Sequence, residues 1–310
     1  MTRVAAFDCG TNSLRLLIAD IDADAGTATD VVRDMRIVRL GQGVDATGAF
    51  APEALERAFA ATEEFAAVVR REGAERIRFT ATSATRDAAN REVFLSGIEE
   101  RLGVRPEVIS GDEEAALSFD GATRGLTGAE APYLVCDLGG GSTELVLGDD
   151  SGVAAAWSMD IGCVRLTERH TGREQITAEA RAAALADIDA ALDEAETHVS
   201  LSGARTLVGV AGTVTTLTAH ILRLDGYRPE RIHGARLQAA QVTAAARELA
   251  EMTAGERAAL PYMHPGRADV IATGALIYDR VVERLRDRAG EPAILTSERD
   301  ILDGIAWSLS

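Results

Sequence analysis

Apolar positions along this chain fall into two regimes, short runs suited to strands and longer periodic stretches suited to helices. Val4 to Ile18 places two apolar runs around the polar turn Asp8-Cys-Gly-Thr-Asn-Ser13 and predicts a β-hairpin. Thr27 to Val38 predicts a third strand, and Asp45-Ala-Thr-Gly48 a loop. Pro52 opens a helix on which Leu55, Phe59, Thr62, Phe65 and Val69 recur at helical spacing, because proline is well tolerated at the first helical position. Arg76 to Thr82 reads as a strand, Ser83 to Asn90 leads into a helix carrying Val93, Phe94 and Ile98, and Val104 to Ile109 reads as a strand interrupted by Pro106. Gly121 to Pro132 has little periodicity and marks a domain crossover. Beyond it, Tyr133 to Gly148 repeats the strand-turn-strand pattern. Val153 to Ile161 then reads as a strand, Thr177 to Val199 as an Ala-rich helix, and Arg205 to Val210 as a buried strand running into a helix. Ala268 to Arg286 and Asp300 to Trp307 are the last helices expected.

The turn of the second hairpin is Asp137-Leu-Gly-Gly-Gly-Ser-Thr-Glu144. Successive glycines leave no Cβ to block close approach, so backbone N–H groups can converge on an anion, with Ser142 and Thr143 hydroxyls as further donors. Asp137 and Glu144 would repel a bare phosphate, and a Mg²⁺ ion between carboxylates and phosphate resolves the conflict. A glycine-rich hairpin turn with no ligand is the bland alternative. An ungapped shift of 129 positions lays Asp8 on Asp137, Gly10 on Gly139, Ser13 on Ser142 and Leu16 on Leu145. The same shift lays Thr82-Ser83-Ala84 on Ala211-Gly212-Thr213. A duplicated unit with two polar turns per copy predicts two similar domains facing a cleft, at about 1–125 and 126–310. The last helix, about 300–310, is expected near the domain junction, with packing on the N-terminal domain.

At 310 residues and 46% hydrophobic composition the chain has material for a core in each domain. No apolar run approaches the roughly 20 residues of a membrane-spanning helix. Met1-Thr-Arg-Val moves straight into the first strand without a signal-peptide pattern, so a cytoplasmic enzyme with no membrane partner is expected. Cys9, Cys136 and Cys163 show no spacing for a disulfide framework or a zinc site. The net charge of −17 speaks against nucleic-acid binding. All 32 basic residues are Arg, whose planar fork matches phosphate oxygens.

These motifs, together with Ala81-Thr-Ser-Ala-Thr-Arg86, Ile109-Ser-Gly-Asp-Glu-Glu114, Ile161-Gly-Cys-Val-Arg-Leu-Thr167, Val210-Ala-Gly-Thr213 and His264-Pro-Gly-Arg267, resemble the exopolyphosphatase and guanosine pentaphosphate phosphatase family. That family lies within the acetate kinase, sugar kinase, Hsp70 and actin superfamily. The resemblance implies an α/β chain of two ribonuclease H-like domains flanking a cleft. It implies Mg²⁺-dependent removal of terminal orthophosphate from inorganic polyphosphate, with hydrolysis of guanosine pentaphosphate (pppGpp) as the alternative within the same chemistry and an actin-fold small-molecule kinase as a more distant one. Because this chain ends where the two-domain core of longer relatives ends, short polyphosphates are favoured; a homodimer is common in such families.

Residue by residue, the resemblance matches Glu114 to the catalytic position. On spacing alone Glu113 and Glu114 are explained by the helix dipole, since both fall in a first helical turn. Arg86 reads either as a solvated helix residue or, by resemblance, as a phosphate ligand. Gly10, Thr11, Asn12 and Ser13 and Gly139, Gly140, Gly141 and Ser142 are expected to clamp phosphates. Gly212 and Thr213, at a strand-to-helix turn, and Arg267 are further candidates. Asp137 and Glu144, with Asp8, are expected to hold or orient Mg²⁺. Arg165 draws attention because it follows Gly162 in one of the shared motifs.

Overall fold

The computed structural model describes residues 1–172 and 175–310. In the first half, β1 (Thr2–Cys9), β2 (Ser13–Asp22) and β3 (Thr27–Ile37) pair in antiparallel succession. Strand β4 (Arg76–Ala81) runs parallel to β1, and the two-residue β5 (Glu107–Val108) parallel to β4. The sheet order is β3-β2-β1-β4-β5. The second sheet, β10-β11-β9-β6-β7-β8, is built from β6 (Tyr133–Leu138), β7 (Thr143–Asp149), β8 (Gly152–Met159), β9 (Thr206–Val210), β10 (Arg236–Leu237) and β11 (Ala293–Thr296). Its run β8-β7-β6-β9-β11 repeats the antiparallel, antiparallel, parallel, parallel order of the first. One ribonuclease H-like unit has been used twice.

The repeat holds residue for residue through the hairpins. The turn bond from Gly10 N–H to the Ser13 carbonyl, 3.0 Å, returns as Gly139 N–H to the Ser142 carbonyl, also 3.0 Å. The register shift between Ile18 and Ala19 returns between Leu147 and Gly148. At the parallel strand the copies differ by one residue. Asp8 lies opposite Thr80, whereas Asp137 lies opposite Val210. Thr82 and Ser83 therefore correspond to Gly212 and Thr213, one position on from the ungapped alignment.

The chain forms one compact unit of Met1–Gly121 with Ile301–Ser310 and a second of Ala122–Asp300. In the first, strand alternation covers both sheet faces. Ala5, Phe7, Leu14, Leu16 and Ile18 face a core shared with Phe65, Phe79 and Phe94, while Val4, Ala6, Leu17, Ala19 and Ile21 face Ile301, Leu302 and Ile305 of the last helix. The helix Ile301–Trp307 crosses the helix Gly111–Thr123 so closely that a Cβ on Gly304 would lie 2.0 Å from the Leu117 carbonyl oxygen. In the second unit Leu134, Cys136, Leu145, Leu207, Leu217 and Ile277 belong to one core.

Several expected elements change. Asp45–Gly48 is not a loop but forms most of a short helix, Val44–Thr47, with its cap at Gly48. The strand Val104–Ile109 shrinks to Glu107–Val108, consistent with Pro106 having no N–H to give a ladder. Of the apolar residues expected on the next helix, Phe94 and Ile98 are buried and Val93 is 55% exposed. The helix Ala239–Glu251, closed at its start by a Gln238–Gln241 capping box, and the strands β10 and β11 had no counterpart in the sequence reading. Among the described residues no helix is long and apolar enough to cross a membrane.

Candidate functional site

In the first unit the turn after β1 is fastened to the turn after β4. Thr11 Oγ1 and Ser83 Oγ lie 3.1 Å apart, and Gly41 N–H donates to the Thr11 carbonyl at 2.9 Å. Gly41 has no alternative there, since a Cβ would meet Thr11 Cγ2 at 2.3 Å. Asp8, buried, accepts from Arg15 Nε and Nη2 at 2.9 and 2.7 Å across the β1–β2 ladder. Glu114 is 8% exposed, and Arg86 Nη1 donates to its Oε2 at 2.7 Å and to the Ile109 carbonyl at 3.0 Å. Arg86 Nε and Nη2 take no protein acceptor among the described residues, so one edge of the fork is open while Nη1 holds Glu114. Burial pushes the Glu114 carboxyl above its ordinary value; the Arg86 charge and hydrogen bonds from Arg86 and Thr82 oppose this, and the Asp8 charge adds to it. Glu113 differs from its neighbour, being exposed and paired with Arg78 at 2.6 Å.

In the second unit the glycine turn leans on the segment after β8. A Cβ on Gly162 would lie 2.4 Å from the Gly140 carbonyl carbon and oxygen. Cys163 N–H donates to the Gly139 carbonyl at 3.1 Å, and Val164 and Arg165 N–H both donate to that of Gly140, at 2.9 and 3.0 Å. Beside this turn, the helix Ala211–Ile221 begins with Ala211 at φ 67, and the Arg267 guanidinium lies against Gly212. A Cβ on Gly212 would sit 2.5 Å from Arg267 Cζ. Arg267 Nη1 donates to Thr216 Oγ1 at 3.3 Å. Thr213 packs on Gly274, and Cys163 on the same glycine. The Arg267 charge, added to burial, lowers the His264 pKa. Burial takes the Cys163 thiol up to about 11, and burial raises Cys9 and Cys136 as well, so none of the three is a ready nucleophile.

Asp137 and Glu144 are buried and directly opposed across the β6–β7 ladder. Directly opposed side chains in such a pair have Cβ atoms roughly 4.5–5.5 Å apart, and like charges there are destabilising. Glu144 Oε1 accepts from Ser158 Oγ at 2.7 Å. The corresponding positions in the first hairpin are Asp8 and Arg15, an ion pair at 2.7 Å. Asp8 thus carries its own counter-charge, which weakens its case as a cation ligand, whereas Asp137 and Glu144 bring two carboxyl groups together. Among the described residues no group of three or more His, Cys, Asp or Glu is placed to hold a metal.

The sequence candidates therefore gather into two clusters. One contains Asp8, the 10–13 turn, Arg86 and Glu114; the other contains Asp137, the 139–142 turn, Glu144, Gly212, Thr213 and Arg267. Not named as site candidates from the sequence were Thr82 and Ser83, which touch Glu114 and Thr11 and stood there only within the repeat and the shared motif Ala81–Arg86, and Thr216, which receives Arg267. Tyr227 was also missed; its hydroxyl lies 2.8 Å from Thr215 Oγ1 and 2.7 Å from Glu298 Oε1.

A family model described as the Ppx/GppA phosphatase family matches residues 17–308. The chain is 50% identical over 317 residues to exopolyphosphatase 2 of Mycobacterium tuberculosis, covering 100% of this chain and 99% of that protein. It is 34% identical over 220 residues to a guanosine-5'-triphosphate,3'-diphosphate pyrophosphatase of Photobacterium profundum, covering 69% of this chain and 42% of that one. Among solved structures it is similar to an exopolyphosphatase-like protein at TM-score 0.95 and 47% identity, with 99% of this chain and 97% of that chain covered.

Proposed function

Because the chain belongs to the Ppx/GppA phosphatase family, we propose that it hydrolyses the terminal phosphoanhydride of inorganic polyphosphate, releasing orthophosphate. The observation that carries this choice of substrate is the 50% identity with a protein named exopolyphosphatase 2 over 99% of that protein's length. The relative named for a guanosine substrate matches at 34% and leaves 31% of this chain unmatched, which makes pppGpp the second reading.

In phosphoryl transfer a protein chiefly supplies positioning and neutralisation of charge. The amides and hydroxyls of Gly10–Ser13 and of Gly139–Ser142 bind non-bridging phosphate oxygens, with Gly212, Thr213 and Arg267 adding donors and charge. Arg86 donates its remaining N–H groups to a phosphate oxygen while keeping hold of Glu114. The Glu114 carboxylate accepts a proton from the attacking water, whose oxygen bonds to the terminal phosphorus. The bridging P–O bond breaks and the chain leaves one phosphate shorter.

The opposed carboxylates Asp137 and Glu144 fit a divalent cation. Mg²⁺ is held through one or two carboxylates plus substrate oxygens rather than by an all-protein cage, and a pair of buried like charges is relieved by it. When bound, Mg²⁺ neutralises phosphate charge. A cytoplasmic homodimer belongs to the same proposal, and light scattering after gel filtration checks the stoichiometry. Phosphate release from tripolyphosphate, long-chain polyphosphate, pppGpp and ATP, measured side by side with Mg²⁺, tests the function. A higher kcat/KM for pppGpp than for every polyphosphate would overturn the choice of substrate.

A further inference from the structure

One short segment takes all three carbonyls of the second glycine turn. Backbone amides of Cys163, Val164 and Arg165 occupy those of Gly139 and Gly140, and the Arg165 side chain occupies the third, with Nε donating to the Gly141 carbonyl at 2.8 Å. In a trans peptide the carbonyl and the following N–H point in opposite directions. The N–H groups of Gly140, Gly141 and Ser142 are therefore turned, as a set, away from the segment, as an anion-binding concavity needs. Two of those peptides are fixed by backbone bonds that any side chains would allow. The peptide between Gly141 and Ser142 is fixed by a side chain, next to a glycine whose φ is unrestricted.

We propose that Arg165 is a positioning residue for phosphate binding, holding the Gly141 carbonyl so that the Ser142 N–H stays turned toward the anion. The guanidinium also polarises that peptide, strengthening its N–H as a donor. The proposal rests on the reading of this turn as a phosphate site.

The first unit fixes the equivalent turn with backbone bonds alone. Val38-Arg39-Leu40 follows β3 as Val164-Arg165-Leu166 follows β8. Val38 and Arg39 N–H both donate to the Asn12 carbonyl, at 3.0 and 2.9 Å, while Gly41 N–H holds that of Thr11. Arg39 does this from φ 48, a left-handed conformation uncommon for a residue other than glycine. In both copies a Val-Arg-Leu segment sets which way the turn's peptides face.

The test compares Arg165→Ala, Arg165→Gln and the parent with tripolyphosphate as probe, by calorimetric binding and by steady-state phosphate release with Mg²⁺. Losing one charged hydrogen bond should raise the tripolyphosphate Kd and KM of Arg165→Ala by about ten- to a hundredfold, with a smaller change in kcat. Gln, which can still donate to the carbonyl, should recover part of the loss. Added methylguanidinium should restore Arg165→Ala and leave the parent unaffected, a response that a general loss of stability would not give. Unchanged Kd and KM in Arg165→Ala would overturn the proposal, as would a loss that neither Gln nor methylguanidinium reduces. If the parent binds tripolyphosphate but releases no phosphate, the proposed hydrolysis fails while the binding series still decides the role of Arg165. A parent that does not bind tripolyphosphate sinks both.

Discussion

Gly212→Ala isolates the placement of Arg267 from the stability of the fold. A Cβ at Gly212 would lie 2.5 Å from Arg267 Cζ and Nη2 and 2.7 Å from Nε, where ordinary contact begins near 3.4 Å. The guanidinium must therefore withdraw by about 1 Å, a displacement that can cost on the order of 100-fold when it misplaces a substrate-binding group. The Arg267 Nη1 bond to Thr216, already 3.3 Å, would be lost in the same movement. The obstructing atoms are the free end of a side chain, and Gly212, the second residue of the helix Ala211–Ile221, has no positive φ, so its backbone accepts alanine. Thermal stability should be unchanged while kcat/KM for tripolyphosphate falls by about 10- to 100-fold. The assay is a double-mutant cycle with Arg267→Ala. With the guanidinium gone the new methyl has room, so Gly212→Ala should cost less than about twofold in that background. Losses that add independently, or parental kcat/KM in Gly212→Ala, would show that Gly212 does not set the placement of Arg267, and parental kcat/KM in Arg267→Ala would show that Arg267 is not a working group of this site.

The other expectations concern the carboxylates and Arg86. Glu114→Gln keeps size and hydrogen bonding but removes the base, so kcat should fall by about 10²- to 10⁴-fold; Glu113→Gln, exposed and paired with Arg78, is the control, and equal losses would refute the assignment. Because burial raises the Glu114 pKa and a base must be ionised, activity should be lost as pH falls through a value above 4.5. Replacing Arg86 by Gln removes the opposing charge and should move that acid limb further up, and a pH–rate profile with no such movement would count against the pair. Arg86→Lys keeps a charge but loses the fork that serves Glu114 and phosphate together, so it should raise KM as well as lower kcat, read from saturation curves. Asp137→Asn or Glu144→Gln removes one of two opposed buried charges. Each should unfold at higher temperature than the parent without metal and gain less from added Mg²⁺, read by calorimetry; an undiminished Mg²⁺ response in both would remove these residues from the metal site.

What the sequence made legible follows from which interactions repeat at fixed spacing. The hairpins were readable because Val4–Ile18 and Tyr133–Gly148 carry apolar runs around polar turns, and their 129-residue offset survives even in the register shifts. The one-residue slip at β9 was not readable, because connections between strands change length without leaving a pattern. β5 and β10 have two residues each, too few to show alternation, and β11 has four, while the helix Ala239–Glu251 went unread despite its apolar stripe. In the site, residue types announced the two polar turns, but pairings did not follow from them. Arg86 and Glu114 are 28 positions apart, and Gly212 and Arg267 further still, so only the folded chain shows that each pair acts together.

The duplicated hairpins also explain how an acidic chain can manage an anionic substrate. Both copies keep the aspartate before the turn, but the facing position on the next strand is Arg15 in one and Glu144 in the other. In the first copy that exchange neutralises Asp8, and Arg86 likewise pairs with Glu114, so the carboxylates near this turn are balanced by guanidinium groups. Such balance places a buried glutamate beside the turn without surrounding it in net negative charge. In the second copy two carboxylates face each other, an arrangement costly in isolation and favourable once a cation is bound. Positive charge there comes instead from Arg267 and from the Arg165 guanidinium on the turn's own backbone. A single substitution at equivalent ladder positions is enough to give two copies of one turn different electrostatics. The first is suited to holding a base and a phosphate, the second to holding a phosphate together with a metal. The overall charge of −17 is therefore a poor guide to the potential at either turn, because it averages over surface carboxylates that neither turn contacts.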